Sequence, residues 1–244
     1  MQVRKANVDS VKRILVVDTA TPVCSVAAAD SNGRHCELLL ARKQTHARHV
    51  MTMTEQVLTQ LDCGLEELTH LAVSCGPGSF TGLRIGISTV KGVALAHNLP
   101  VFTLPTLELL AYQAYGWQGA IVPMIDARRQ EVYLGAYRWE KGGLVEVVPP
   151  TVGSPERVAD DIQGPLLLLG NGALAYREQL RHRINEKLHF AAQAWNAPHA
   201  LTAALALVSG GWSIEPVSAA EVMPIYLRKS DAEVNLLRQQ KKNQ

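Results

Sequence analysis

The stretch Gly76-Pro-Gly-Ser-Phe-Thr-Gly-Leu-Arg-Ile-Gly86 joins two different sequence patterns. Residues 68–75 before it form an apolar run that predicts a buried strand, and residues 80–97 repeat apolar side chains at helical spacing. A strand, a glycine-rich turn and a helix in this order are typical of α/β proteins, and the N–H groups at such a helix start often bind phosphate. Lysine and Ser/Thr are not at P-loop spacing, so the segment predicts no Walker site.

Two interpretations of this glycine segment remain open. In the first, Gly82 and Gly86 lie on one helix face that Thr89 and Val93 continue, and these small residues let another helix approach closely, from this chain or from a partner. In the second, a nucleotide or anion is contacted by Asp18, Gly76, Gly78, Ser79 and Arg128. The first is preferred, because a helix that is apolar on one side and small on the other usually packs on both sides.

The composition is that of a globular protein with a sizeable core. The chain has 244 residues, of which 47% are hydrophobic and 19% charged, and its formal net charge is +2. This charge is small for a dedicated nucleic-acid binder, so an RNA contact is expected to be weak or shared with a partner. The four cysteines show no CxxC spacing, and neither an export signal nor a membrane span is evident. We therefore expect reduced thiols and a soluble cytoplasmic protein with no membrane contact.

The two ends of the chain are rich in basic residues, at positions 4, 5, 12 and 13 and at positions 228, 229, 238, 241 and 242. These residues are predicted to keep the ends solvated, and a contact with RNA or an acidic partner is the alternative. The pattern predicts an N-terminal extension at residues 1–13 and a polar basic tail at residues 228–244.

The rest of the chain has the pattern of one α/β unit that occurs twice. Asp18 ends a predicted strand and precedes a second strand by six residues, and Asp126 has the same position in the second half. A third strand follows in each half after a glycine-containing turn. The sequence therefore predicts two α/β lobes with mixed sheets and flanking helices, at residues 14–110 and 111–227.

Four further segments have helical spacing. They are residues 44–61, 106–115, 173–183 and 198–209. Thr106 is the predicted N-cap of the second of these helices, because a hydroxyl side chain can accept a free N–H group of the first turn.

Candidate catalytic groups are few. Asp18 and Asp126 can hold a magnesium–nucleotide through water or accept N–H groups of their turns, and the structural role is preferred. His46 and His49 have a spacing that can bind metal, but no carboxylate ligand is evident nearby, so both are predicted to be exposed. Ser79 does not lie in a GxSxG elbow. No catalytic residue and no metal site is predicted.

Three segments, taken in order, resemble the TsaB (YeaZ) family of tRNA threonylcarbamoyladenosine biosynthesis proteins. They are Ile14-Leu-Val-Val-Asp-Thr-Ala-Thr21 with Cys24-Ser-Val26, the glycine segment, and Asp126-Ala-Arg-Arg-Gln-Glu-Val-Tyr133. The resemblance covers about residues 14 to 230. It implies the duplicated ribonuclease-H-like fold of the actin, sugar-kinase and Hsp70 type, which agrees with the internal repeat.

The resemblance also implies a function. TsaB-family proteins pair with the paralogue TsaD, which carries the catalytic site, and act with TsaE. The complex transfers threonylcarbamoyl, supplied as the adenylate by TsaC, to N6 of adenosine 37 in tRNAs that read ANN codons. The implied contact uses the helices at residues 44–61, 80–97 and 106–115, and the same surface supports self-association. The partner interface is therefore predicted at Val50, Met51, Thr54, Gly82, Gly86, Thr89 and Val93.

One departure from TsaD bears on activity. The places of TsaD's metal-binding His-x-x-x-His correspond here to Thr106 and Leu110, and neither side chain replaces imidazole as a ligand. The resemblance therefore implies a non-catalytic scaffold or activating subunit that binds no cofactor tightly by itself, with ATP and magnesium expected at the complex. The alternative is an independent nucleotide-binding phosphotransferase of the sugar-kinase-like superfamily, based on the glycine segment and Asp18.

Overall fold

The computed structural model describes residues 11–42, 46–157, 162, 164–183 and 188–228. Ten strands in this part of the chain form two five-stranded sheets. The first sheet contains β1 (Arg13–Asp18), β2 (Val23–Asp30), β3 (His35–Ala41), β4 (His70–Gly76) and β5 (Val101–Pro105). The second sheet contains β6 (Ala120–Arg128), β7 (Glu131–Glu140), β8 (Gly143–Gly153), β9 (Leu166–Leu169) and β10 (Leu188–Phe190).

The two sheets have the same topology. The strand order is β3-β2-β1-β4-β5 in the first and β8-β7-β6-β9-β10 in the second. In each sheet the first three strands of the chain pair antiparallel, and the last two are parallel to the central strand. The predicted duplication of a mixed-sheet unit, the ribonuclease-H-like fold, is confirmed.

Six α-helices flank these sheets in the described residues. They are α1 (His46–Gln60), α2 (Phe80–His97), α3 (Thr106–Tyr112), α4 (Asn171–Ala175), α5 (Arg177–Arg183) and α6 (Ala200–Ser209). The single helix predicted at residues 173–183 is wrong, because the chain leaves helical geometry at Tyr176 and forms α4 and α5 instead. The cap predicted at Thr106 is also wrong: Pro105 precedes the helix, and Thr106 is its first residue. No described helix is long and apolar enough to cross a bilayer.

Helix α2 has clear local signals at both ends. Ser79 is its N-cap, and its hydroxyl accepts the Gly82 N–H at 3.2 Å. Asn98 ends the helix with a left-handed φ of 52°, a conformation that asparagine tolerates better than most residues. Leu83 and Val90 are buried between these ends and pack on the first sheet.

The two lobes exchange helices. Helix α3 lies between the sheets, with Leu109 in the core of the first and Leu107 in the core of the second. Helix α6 packs on β1 and β2 of the first sheet, although it lies at least 170 residues further along the chain. Helix α6, which belongs to the predicted second lobe at residues 111–227, thus covers one of the two apolar faces of the sheet in the first lobe, at residues 14–110.

The last described segment, residues 217–228, is called the C-terminal strap. The backbones of Val217 and Val101 exchange hydrogen bonds of 2.8 and 2.9 Å, which place the strap beside the edge strand β5. The Arg228 guanidinium donates to the Ala127 carbonyl oxygen at 3.0 Å, in the second sheet. The strap thus connects the two lobes. Arg228, the first residue of the predicted tail, thus contacts the second sheet, and residues 229–244 lie outside the described part.

The start of the chain also differs from its prediction. Strand β1 begins at Arg13, inside the predicted extension, and residues 1–10 lie outside the described part. The Lys12 ammonium donates to the Leu207 carbonyl oxygen at 2.7 Å and lies 5.5 Å from the centre of the Phe102 ring. Lys12 therefore attaches the end of α6 to the first sheet, which is a structural role and not only a solvating one.

Candidate functional site

The glycine segment encloses a piece of its own chain. The turn after β1 passes beneath it, and the Ser79 N–H donates to the Ala20 carbonyl oxygen at 2.7 Å. The Thr19 hydroxyl donates to the Gly82 carbonyl oxygen at 2.7 Å. A Cβ at Gly78 or Gly82 would overlap a carbonyl oxygen of this turn. The glycines are needed because the backbone of the turn lies too close for any side chain.

This packing occupies several of the groups named in the alternative interpretation, in which the segment contacts an anion. The N–H groups of Ser79 and Gly82, which would face a phosphate, are bonded to Ala20 and to the Ser79 hydroxyl. Gly76 is buried with a φ of +119°, and a Cβ there would overlap the Ile225 carbonyl oxygen of the C-terminal strap. The arrangement has the order of a phosphate-binding loop, but protein atoms occupy the place of the ligand.

Asp18 lies at the end of β1 directly below this turn. The side chain is fully buried, and neither carboxyl oxygen has a hydrogen-bond partner among the described residues. Burial raises the pKa of Asp18 to about 7, although the nearby Ser74 hydroxyl and Ala20 amide lower it in part. The Ala20 amide of the turn lies near enough to lower the pKa of Asp18, which agrees with the preferred structural interpretation, and the carboxyl is fully buried.

Asp126, the equivalent residue of the second lobe, has the predicted turn-stabilising role. Its carboxylate accepts the Arg128 N–H at 2.8 Å and the Tyr176 hydroxyl at 3.4 Å. Arg128, Arg129 and Gln130 all have positive φ values, between 56° and 62°. This strained turn needs local hydrogen bonds to hold it. The Arg128 side chain itself is exposed, so it remains a candidate for binding an anion.

Four of the seven residues predicted at the partner interface are interior. Val50 is buried, and the buried Thr54 hydroxyl donates to its carbonyl oxygen at 2.8 Å. Gly82 and Gly86 are buried against Thr19 and not against a second helix. The helical spacing identified small residues, but it could not show that the close neighbour of Gly82 and Gly86 is a turn of the same lobe.

The face of α2 that points to solvent lies next to the face that carries Gly82 and Gly86. It carries mainly small side chains, all of them exposed: Thr81, Ser88, Gly92, Leu95 and Ala96. A Cβ at Gly92 would meet no atom within 4 Å. Helix α1 packs beside α2 and exposes 47% of Met51, while Thr89 and Val93 are half-buried at the margin. We call the surface formed by Met51, Ser88, Gly92, Leu95 and Ala96 the α1–α2 face, and it does not include Phe80 and Arg84 at the start of α2.

The other candidate groups of the sequence have structural surroundings. His46 and His49 are half-buried and not exposed as predicted, and the His46 ring donates from Nε2 to the Thr21 carbonyl oxygen at 2.9 Å. Thr106 and Leu110 are fully buried. Across the described residues, no group of three or more His, Cys, Asp or Glu side chains could hold a metal ion.

Sequence reasoning missed a cluster where the C-terminal strap crosses α2. The rings of Phe80 and Tyr226 stack with centroids 4.8 Å apart, and the Arg84 guanidinium lies 3.9 Å from the Phe80 centroid on α2. Arg84 Nε also donates to the Tyr226 hydroxyl at 3.4 Å. Phe80 is half-buried. The i, i+4 spacing of Phe80 and Arg84 was a signal for their contact, whereas Tyr226 is distant in sequence.

Comparison with known proteins gives relatives over nearly the whole chain. The family model described as "TsaD: tRNA N6-adenosine threonylcarbamoyltransferase" matches residues 40–236. The tRNA threonylcarbamoyladenosine biosynthesis protein TsaB of Bacillus subtilis (strain 168) is 28% identical over 231 residues, which are 93% of this chain and 99% of that protein. TsaB of Haemophilus influenzae is 30% identical, with 88% of this chain and 93% of that protein covered.

A solved structure, YeaZ from Pseudomonas aeruginosa, has a TM-score of 0.74 at 31% identity and covers 88% of this chain and 100% of that one. The match to the TsaD family model, together with the duplicated sheets and the closed glycine segment, defines the class of this protein. It is a TsaD-related protein of ribonuclease-H-like fold. Within that class, the chain belongs to the TsaB (YeaZ) family.

Proposed function

We propose that this chain is a non-catalytic subunit of the machinery that transfers threonylcarbamoyl to N6 of adenosine 37 in tRNAs that read ANN codons. In this proposal it dimerises with TsaD and positions that catalytic subunit, and TsaE joins the pair. The observation that carries the proposal is the family relationship over nearly the full length, combined with a glycine segment that its own turn fills. The complex would act in the cytoplasm.

The side chains at the place of TsaD's histidines, and the buried cysteine near them, do not suit catalysis by this chain alone. Buried Thr106 and Leu110 stand where TsaD is expected to carry histidines, and neither can serve as an imidazole ligand. Burial raises the pKa of the Cys75 thiol to about 12, so this cysteine is not a ready thiolate nucleophile. In this proposal ATP and magnesium bind in the partner or at the complex, and this chain alone binds no cofactor tightly.

The α1–α2 face is the proposed contact with TsaD and, in the isolated chain, with a second copy. Its small residues allow a partner helix to approach closely, and Met51 and Leu95 supply exposed apolar area. We propose this surface in place of the partner interface predicted from the sequence, because Gly82 and Gly86 of that interface are buried. Thr89 and Val93 remain at its margin.

A bulky side chain in this face tests the pairing. Ser88→Trp should weaken co-purification with TsaD by about tenfold or more, because the indole would hold the helices apart. Ser209→Trp places the same substitution on the exposed end of α6 and serves as the matched control. Equal TsaD affinity of the wild type and the Ser88 variant, measured by calorimetry, would rule out this contact.

The function itself is tested by reconstitution. Purified TsaC, TsaD and TsaE should modify an unmodified ANN-reading tRNA when this chain is present and should lose most of that activity without it. Modified nucleosides can be measured by mass spectrometry after digestion. Full modification in the absence of this chain would contradict a required subunit.

The alternative remains an independent phosphotransferase of the sugar-kinase-like superfamily. Its support is Asp18, a buried carboxyl at the end of β1 without a hydrogen-bond partner in the described residues. Calorimetry of the isolated chain with Mg–ATP distinguishes the two. Tight binding together with turnover that Asp18→Ala abolishes would favour the phosphotransferase, whereas a scaffold should show neither.

A further inference from the structure

An exposed cluster of arginines and aromatic rings lies where the C-terminal strap passes from the first lobe to the second. Arg84 of α2 covers one face of the Phe80 ring, at 3.9 Å from its centroid, and Tyr226 of the strap stacks on Phe80 at 4.8 Å. Arg84 is exposed, and 39% of Tyr226 is exposed. A planar guanidinium and a tyrosine ring are therefore both partly open to solvent at this point.

The strap also contains Arg228, which contacts the turn that carries Arg128 and Arg129. Arg228 lies only two residues after Tyr226, so their Cα atoms are at most about 7 Å apart. Arg228 donates to the Ala127 carbonyl oxygen, directly before the exposed side chains of Arg128 and Arg129. The turn at the end of β6 is thus connected to the aromatic stack through the Arg228 side chain.

The charge around this cluster is predominantly positive. Helix α2 contains Arg84 and Lys91 and has no acidic residue. The carboxylates nearby are those of Glu131, which pairs with Arg228, of Asp126, which accepts the Arg128 N–H, and of Glu221 in the strap, which accepts from Ser218. The cations of Arg84, Lys91, Arg128, Arg129 and Arg228 outnumber these three acids.

We propose that the surface formed by Phe80, Arg84, Tyr226, Arg128 and Arg129 binds an unpaired segment of RNA. Arginine side chains at the turn contact phosphates, and the open faces of Tyr226 and the Arg84 guanidinium stack on bases. Aromatic and guanidinium planes combined with a positive surface are the features by which proteins hold unpaired RNA. An acidic protein segment would use the charges but would leave the stacked planes without a matching ligand.

This inference rests on the proposed function for the identity of the RNA, which is then the tRNA substrate. The small net charge of +2 is consistent with a secondary contact that adds to the partner's own binding surface. In that setting the chain contributes directly to substrate affinity and also organises the catalytic subunit.

The test measures the affinity of the assembled complex for unmodified tRNA by fluorescence anisotropy at several salt concentrations. The double variant Arg84→Gln/Arg128→Asn removes two charges, and asparagine suits the left-handed φ at position 128. Its Kd for tRNA should rise by about tenfold, and the slope of log Kd against log salt should fall by about 1 to 2. In turnover assays, KM for tRNA should rise while kcat stays constant.

Arg138→Gln is the matched control, because it removes an exposed arginine from the far end of β7, about 23 Å from Glu131 along the strand. It should change Kd by less than about twofold. A short single-stranded RNA should compete with tRNA, and Tyr226→Leu should weaken that competition more than Tyr226→Phe, which keeps the stacking ring. Duplex RNA of the same length should compete poorly.

An unchanged tRNA affinity in the double variant, or an equal loss in Arg138→Gln, would overturn the inference. A variant that loses affinity for TsaD and keeps affinity for tRNA would show a protein contact and would also overturn it. If the chain forms no complex with TsaD, the proposed function fails. Anisotropy with the full chain alone then decides the RNA contact independently.

Discussion

Thr19 packs so closely against helix α2 that only glycine fits at positions 82 and 86. Its carbonyl oxygen lies against Gly82, its hydroxyl donates to the Gly82 carbonyl oxygen at 2.7 Å, and the same hydroxyl lies against Gly86. Thr19 and Asp18 are both nearly or completely buried. The segment thus covers the end of β1, and Asp18 and Thr19 are part of the tightly packed interior.

Gly82→Ala should destabilise the protein, because the added methyl overlaps the Thr19 carbonyl oxygen and the backbone must move. The expected loss in the free energy of unfolding is about 2 to 4 kcal/mol. Gly92→Ala on the same helix meets no atom and should stabilise by about 0.5 to 1 kcal/mol. Urea unfolding of both variants measures the contrast, and equal effects would argue against the packing described for Gly82.

Asp18→Asn should make the protein more stable at high pH. Burial raises the pKa of Asp18 from 3.8 to about 7, so the folded state keeps a proton that the unfolded state has lost. The wild type therefore loses stability as pH rises from about 4 to about 7, and the asparagine variant has no such loss. Between pH 5 and pH 8 the difference in unfolding free energy should grow by about 2 kcal/mol. A constant difference across this range would show that Asp18 is ionised in the fold.

Helix α6 shows how an element from the far end of the chain becomes part of the first lobe. None of its own side chains caps its N-terminus. Instead, the Ala200 N–H donates to the Ser25 hydroxyl at 2.9 Å, and the Leu201 N–H donates to the Glu37 carboxylate at 3.2 Å. These acceptors belong to β2 and β3, so the free N–H groups of the helix are satisfied only after the helix docks on the first sheet.

Glu37→Gln should weaken this docking in a pH-dependent way. The Glu37 carboxylate pairs with His199 Nδ1 at 2.9 Å. The hydrogen bond to Glu37 raises the pKa of His199, and hydrogen bonds from His199 and Ser25 lower the pKa of Glu37 against the opposing effect of burial. The His199 contribution is present below about pH 6.5 and is lost as pH rises through its folded pKa. The Glu37 contribution is present above about pH 4.5 and is lost as pH falls.

The substitution should therefore cost about 1 to 3 kcal/mol near pH 5.5 and less near pH 8.5. Urea unfolding at both values measures the cost, and NMR titration of His199 should show its pKa fall in the variant. A cost that is larger at pH 8.5 would contradict the ion pair. Glu178→Gln, which alters an exposed pair with Arg181, is the control and should have little effect at either pH.

The whole molecule is two repeated sheets that cannot be separated at the middle of the chain. Helix α3 packs on both sheets, α6 covers the first sheet, and the C-terminal strap runs from β5 to the β6–β7 turn. Each sheet has two apolar faces, and in each sheet one of these faces is covered by a helix from the other half of the sequence. This exchange gives the two lobes a shared stability.

A fragment of residues 11–114 should not fold by itself, because one face of its sheet would be bare. Joining residues 195–228 to it through a short glycine–serine linker should restore folding. The join is short because the Gln113 side chain donates to the Trp195 carbonyl oxygen at 3.2 Å and accepts the His199 N–H at 2.7 Å. Dispersed amide signals in NMR spectra should appear only for the joined fragment. A folded 11–114 fragment would contradict the shared core.

The sequence by itself determined the family, the duplicated sheets and most helix and strand positions, because these depend on local periodicity, on turn residues and on motifs within about ten residues. The glycine segment identified the family in this way. Its role was decided only by tertiary structure. Gly82 and Gly86 have the spacing of a helix–helix contact, yet Thr19, more than sixty residues earlier, occupies that space. Which face of α2 is open, which lobe α6 covers and where Tyr226 meets Arg84 follow from packing between distant segments, and spacing along the chain carries no information about such neighbours.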